Sequence, residues 1–111
     1  MLTEQPILIT SIKCTESLGI TKNHFVTFEG TLGTEGEKSL GVCNADTEVN
    51  EMIPVTAKGI ALVITGGAIN FGNPVQSFDD GAAILQSSGP LEGYAMDSAS
   101  SADQIIRILL V

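Results

Sequence analysis

Short apolar runs separated by turn residues recur along this chain, and the stretch Gly59–Asp97 shows the pattern most densely. Ile60, Leu62 and Ile64 alternate with Ala61 and Val63, the two-residue period that sends each set of side chains to one face of a sheet. Gly66-Gly67 ends that run. Val75–Phe78 then predicts a strand, Asp79-Asp80-Gly81 a hairpin turn and Ala82–Gln86 the returning strand. Ser87–Pro90 is a further turn, Leu91–Met96 a further strand, and Asp97–Asp103 a polar bridge to Ile105–Val111. An apolar run of that kind must be buried, so it forms a core strand or lies in an interface.

The first half reads in the same way. Pro6–Lys13 predicts a strand with a bulge or an early end, with Ile7, Ile9 and, out of register, Ile12 as candidates for its buried side. Phe25–Glu29 predicts another, in which Phe25 or Val26 faces the core together with Phe28. The three glycines and three charges of Gly30–Ser39 predict an exposed loop or hairpin tip, followed by the short strand Leu40–Cys43 and a turn at Asn44–Asp46. Within Glu48–Lys58, Pro54 argues for an edge strand or a bulge. Apart from a helical turn expected at Thr65–Asn70, no segment keeps a helical period. The expectation is one all-β domain over residues 1–111, a compact antiparallel sandwich or barrel of short strands with little helix, preceded by an arm at residues 1–6.

Two parts of the chain echo each other. Ile20–Phe28 aligns with Ile69–Phe78, Ile20 and Val26 standing at the same spacing from Ile69 and Val75. Each copy continues through a Gly-rich connection into Leu40–Cys43 or Glu92–Ala95, then an acidic turn at Asp46 or Asp97, then an apolar run. Two similar half-units could bury their apolar faces on each other. An all-β chain with twelve glycines also produces matches of this kind by composition.

Charge narrows the function classes. Thirteen Asp and Glu against five Lys and Arg give a net charge of −8, which repels a phosphate backbone and provides no cationic stripe, so nucleic acid is not an expected partner. No apolar run approaches the roughly 18–20 residues of a membrane-spanning helix, and MLTEQPILIT lacks a basic leader, so a soluble protein made in the cytoplasm and without a membrane partner is expected. Cys14 and Cys43 are too few for a zinc site and read as buried thiols.

The inventory offers little to catalysis. His24 is the single histidine, and neither cysteine sits in a nucleophile signature beside it. Asp79, Asp80, Asp97 and Asp103 have no calcium-loop spacing and are ordinary turn residues. The glycines form neither G-x-G-x-x-G nor a phosphate loop. No enzyme, cofactor or metal is expected. A small non-catalytic carbohydrate- or ligand-binding β-module is the alternative, though such sites favour aromatic platforms and the chain has no Trp and one Tyr.

From Gly41 onward the order of residues resembles a known family. Gly41-Val42 with Ala45-Asp46, then Val55 and Gly59, Gly67-Ala68-Ile69 with Gly72-Asn73-Pro74-Val75, Gly93-Tyr94-Ala95-Met96-Asp97 and Ile106-Arg107-Ile108 are similar to the small head decoration, or capsid cement, proteins of tailed phages. That family's phrasing is close to G-A-I-x-x-G-D-P-V and G-x-A-L-D-A-A; Asn73 here replaces the acid and Met96 the leucine. The likeness spans residues 20–111 and is loose before them. It implies a β-domain, usually a homotrimer, on the capsid exterior of the virion, stabilising the head by clamping neighbouring subunits of the major capsid protein. The expected contacts are the arm, through Leu2, Thr3, Glu4, Gln5 and Pro6, and the loop, through Thr31, Leu32, Thr34 and Glu35.

Overall fold

The structure, a computed structural model, describes residues 2–111 and contains eight strands and no helix among them. They are β1 (Gln5–Lys13), β2 (Phe25–Val26), β3 (Gly41–Cys43), β4 (Met52–Ile64), β5 (Pro74–Ser77), β6 (Ala83–Leu85), β7 (Gly93–Ala95) and β8 (Ile105–Leu110). One sheet runs β2-β3-β4-β8-β7-β5-β6, with β1 added to β4, and every strand pair is antiparallel. Its two ends approach each other: the Phe25 N–H donates to the Gly81 carbonyl at 2.8 Å, and Thr65 bridges Ala83. The result is an antiparallel sheet nearly closed into a barrel.

The strand β4 organises the molecule. Thr56 lies between Ile9 of β1 and Val42 of β3, while Ile60 lies between Gln5 of β1 and Leu109 of β8. Glu48–Lys58 and the run from Ile60 are separate segments in the sequence pattern, but one strand continues through Gly59. Gly59 takes φ of +100°, and a Cβ there would stand 2.5 Å from the Gln5 carbonyl oxygen. Glycine alone lets β1 approach this bend. The register of β1 slips between Pro6 and Ile9, which is the expected bulge.

Pro54 occupies an internal strand rather than an edge. It faces Ser11, and on its other side β3 has already ended, so its carbonyl accepts the Asn44 N–H and no donor is required of it. The region 65–70 forms bends and bridges in place of the expected helical turn.

The half-units are a true repeat, and the repeat is longer than the sequence echo. Phe25 and Val26 pair Val42 and Gly41, as Pro74 and Val75 pair Tyr94 and Gly93. The bridge Ile20–Thr47 recurs as Ile69–Ala99. The Asn23 N–H donates to Cys43 as Gly72 does to Ala95, and the Leu40 N–H to Val26 as Glu92 does to Val75. The match includes the first strand: Asn50, with φ of +71°, donates to the Cys14 carbonyl just as Asp103, with φ of +65°, donates to Thr65. The first repeat is therefore β1, β2, β3 and the N-terminal half of β4. The second is the C-terminal half of β4 with β5, β7 and β8, β6 being the return of its hairpin.

Two clusters form the core. Cys14, Ile20, Val26, Cys43, Ile53 and Val55 fill the first repeat. In the second, Ile69, Val75, Ala95, Ile106 and Ile108 pack with Ala61 and Val63 and also with Phe25 and Val42 from the first repeat. The inner face of the second repeat thus covers the opposite face of the first. The C-terminal run is a core strand, with Ile106 and Ile108 buried.

Candidate interaction surface

Large apolar side chains point outward on several strands. Ile7, at 82% exposure, Leu8 and Ile9 stand free on β1, where Ile7 and Ile9 were expected to be buried. Ile7 is the extra residue of the bulge and has no partner on β4. Phe28 was expected in the core but is exposed, because the chain leaves β2 at Thr27 and turns: the Gly30 N–H donates back to the Thr27 carbonyl.

On the second repeat, Ala61 and Val63 are the inner set of β4, so the bulkier Ile60, Leu62 and Ile64 lie on the outer face, half-buried. The register extends that face from β4 across β8, β7 and β5. Ile60 lies beside Leu109, Leu109 beside Tyr94, and Tyr94 beside Pro74. Tyr94 is 42% and Leu109 47% exposed. The face is crossed by one ion pair: the Arg107 guanidinium donates through Nε and Nη2 to the two Asp97 carboxylate oxygens, at 2.9 Å each. This bidentate hydrogen bond from Arg107 holds the Asp97 carboxyl below its usual range. An Arg in register with Leu109 and Ile105 was the available sign that this set faces outward.

The arm and the loop flank this sheet. Leu2 and Thr3 are exposed and Glu4 half-buried; Gln5 and Pro6 are exposed and open β1 opposite Ile60 and Gly59. In the loop, Thr31, Leu32, Thr34 and Glu35 are all half-buried. Leu32 packs against the first-repeat cluster, and its N–H donates to Glu16 Oε1. The Glu35 N–H donates to Asp79 Oδ1. The loop's end is held by Glu92, 1% exposed, which accepts from Lys38 Nζ and the Ser39 N–H at 2.9 Å each. A buried carboxylate is costly to leave unpaired, so this contact fixes the base of the loop. Among the described residues no hydrogen bond joins the arm to the loop.

The two cysteines are buried and unpaired, and the single histidine is engaged with local backbone. Burial raises the Cys43 thiol to about 11, with opposing hydrogen bonds from backbone groups at His24 and Asn23, and Cys43 Sγ donates to the Thr21 carbonyl. A neutral, occupied thiol is a poor nucleophile. His24 Nδ1 is engaged with the backbone carbonyls of Thr21 and Lys22. A depression of about 490 Å³ between the turn at Leu18 and the loop at Asp46–Glu51 is acidic, and two of its three carboxylates cap the local backbone: Asp46 accepts the Lys22 N–H and Glu51 the Glu48 N–H.

Comparison with known proteins supplies the context for this surface. The model of the phage cement protein family matches residues 5–110. A search of curated proteins finds no match. Among solved structures, the N base of head fiber gp8.5 from bacteriophage phi29 shares the fold, with a TM-score of 0.74, at 16% identity, over 94% of this chain and 95% of that one.

Proposed function

Since the chain belongs to the phage cement protein family, and is thereby a structural protein of the phage capsid, we propose that it binds the outer surface of the head and stabilises the lattice by clamping neighbouring major-capsid subunits. The observation that carries the reading is the match of the family model over essentially the whole β-domain. The architecture supports it. A β-body locked by a strand shared between two repeats is rigid, it presents large apolar side chains outward, and Asp97, Glu92 and Asp46 are engaged in local hydrogen bonds. The role is mechanical, not catalytic.

In this reading the protein acts as a homotrimer on the capsid exterior, without nucleic acid or membrane. The arm Leu2, Thr3, Glu4, Gln5 and Pro6 and the loop residues Thr31, Leu32, Thr34 and Glu35 make the capsid contacts. Exposed backbone at the arm suits pairing with a partner strand, and the lattice multiplies modest contacts by avidity. The test is binding to undecorated heads by the full chain and by a chain lacking Met1–Gln5. A loss of at least about tenfold in affinity, or roughly 1.4 kcal/mol, is expected for the truncated form. Unchanged binding by a folded truncated chain would remove the arm from the contact.

A further inference from the structure

The internal repeat shows what the outer face of the second repeat is built to receive. In the first repeat, Phe25, Val42 and Thr56 form one cross-strand row. The same register gives Pro74, Tyr94 and Leu109 in the second. The first row is covered within the molecule: Phe25, Val42 and Thr56 are 0%, 1% and 0% exposed, and Phe25 and Val42 pack into the core cluster of the second repeat. The equivalent second row is bare and retains the large apolar side chains Tyr94 and Leu109.

We propose that this face, centred on Tyr94 and Leu109 with Ile60 beside them, seats a second copy of the chain, whose β1 residues Ile7 and Ile9 insert against it. The inference rests on the self-association proposed above and assigns its surface. The chain carries a net charge of −8, so two copies repel wherever their acids meet. On this face the Asp97 charge is neutralised by Arg107. Most of the remaining acids lie in the turns and loops between Glu16 and Glu51 and at Asp79-Asp80. A like-charged copy can therefore approach here at least cost. Ile7 and Ile9 are apolar and exposed, and Ile7 has no partner on its own β4. Donor and acceptor are different surfaces, so the contact is head to tail, and repetition closes a ring when the rotation permits.

Sedimentation of the full chain and of Tyr94→Lys, Leu109→Lys and Ile7→Lys tests the assignment, with Leu18→Lys, at an exposed turn of the first repeat, as control. The wild type and the control are expected to be oligomeric, and the three face variants to fall to the single-chain mass while keeping the wild-type circular dichroism. Tyr94 is the sole tyrosine and the chain has no tryptophan, so intrinsic emission reports this face directly. Acrylamide should quench it weakly in the oligomer and more strongly once dilution separates the copies. This measurement needs no variant to fold. An oligomeric wild type whose Tyr94 is quenched equally before and after dilution, or folded face variants that stay oligomeric, would overturn the surface and leave self-association standing. A wild type that sediments as a monomer at every concentration would remove self-association itself.

Discussion

Asp97 and Arg107 are two charged side chains on an otherwise apolar sheet face, and they set the acid response of that face. Hydrogen bonding from Arg107 lowers the Asp97 pKa below its ordinary 3.8 in the folded chain. The folded state then binds its proton less readily than the unfolded state. Stability from the pair is fully present above the ordinary carboxylate value and is lost as pH falls through the lowered one. Asp97→Asn is expected to lower the urea midpoint at neutral pH, and the difference from wild type should shrink as the pH falls below the ordinary carboxylate value. A difference constant across that range would mean that the carboxylate charge contributes nothing. At this scale the sequence was legible where one residue type has one use: the cysteines were expected to be buried and are. It failed at Ile7, Ile9 and Phe28, since an apolar side chain does not state which face it occupies when both faces of a strand are apolar.

Individual strands show why turns were easier to read than continuity. The Asp79-Asp80-Gly81 hairpin joins β5 to β6 as its sequence predicted, because a tight turn depends on local chemistry. Gly59 and Pro54 carry the same breaking signals inside one thirteen-residue strand. Their tolerance comes from neighbours distant in sequence: β1 closes on Gly59, and β3 ends just where Pro54 has no N–H to give. Gly59→Ala is therefore expected to cost about 1–3 kcal/mol, read as a lower urea midpoint, since it strains a left-handed backbone and drives a methyl group toward the Gln5 carbonyl. A neutral effect would show that β1 gives way at the bend without cost.

Across the whole molecule, half of the repeat was visible in the sequence and half was not. Ile20 and Ile69 retain the same residue at the same bridge, whereas β1 and the second half of β4 share only hydrogen-bond geometry. Even caps have changed their chemistry. The Lys22 N–H is met by the Asp46 carboxylate, and its counterpart at Phe71 by the Ser98 hydroxyl. Backbone pairing survives such exchanges because it does not depend on side-chain identity. The outer face at Tyr94 was missed for a related reason: Val42, its counterpart, is buried, and only the three-dimensional register separates the two. Because Phe25 and Val42 belong to the core of the second repeat, the repeats should not melt separately. Calorimetry is expected to give one transition, with calorimetric and van't Hoff enthalpies in a ratio of about 1. Two resolved transitions would show the repeats to be independent.

A flexible linker between two repeats acts as a hinge. Here the last strand of one repeat continues as the first strand of the next, so no joint exists about which they could rotate. Their relative attitude is set by the backbone of β4 and its bend at Gly59. Whatever the two ends of this molecule touch is held at a distance and angle that thermal motion cannot readily reset, so in the proposed clamping role the chain would gauge spacing as well as fasten.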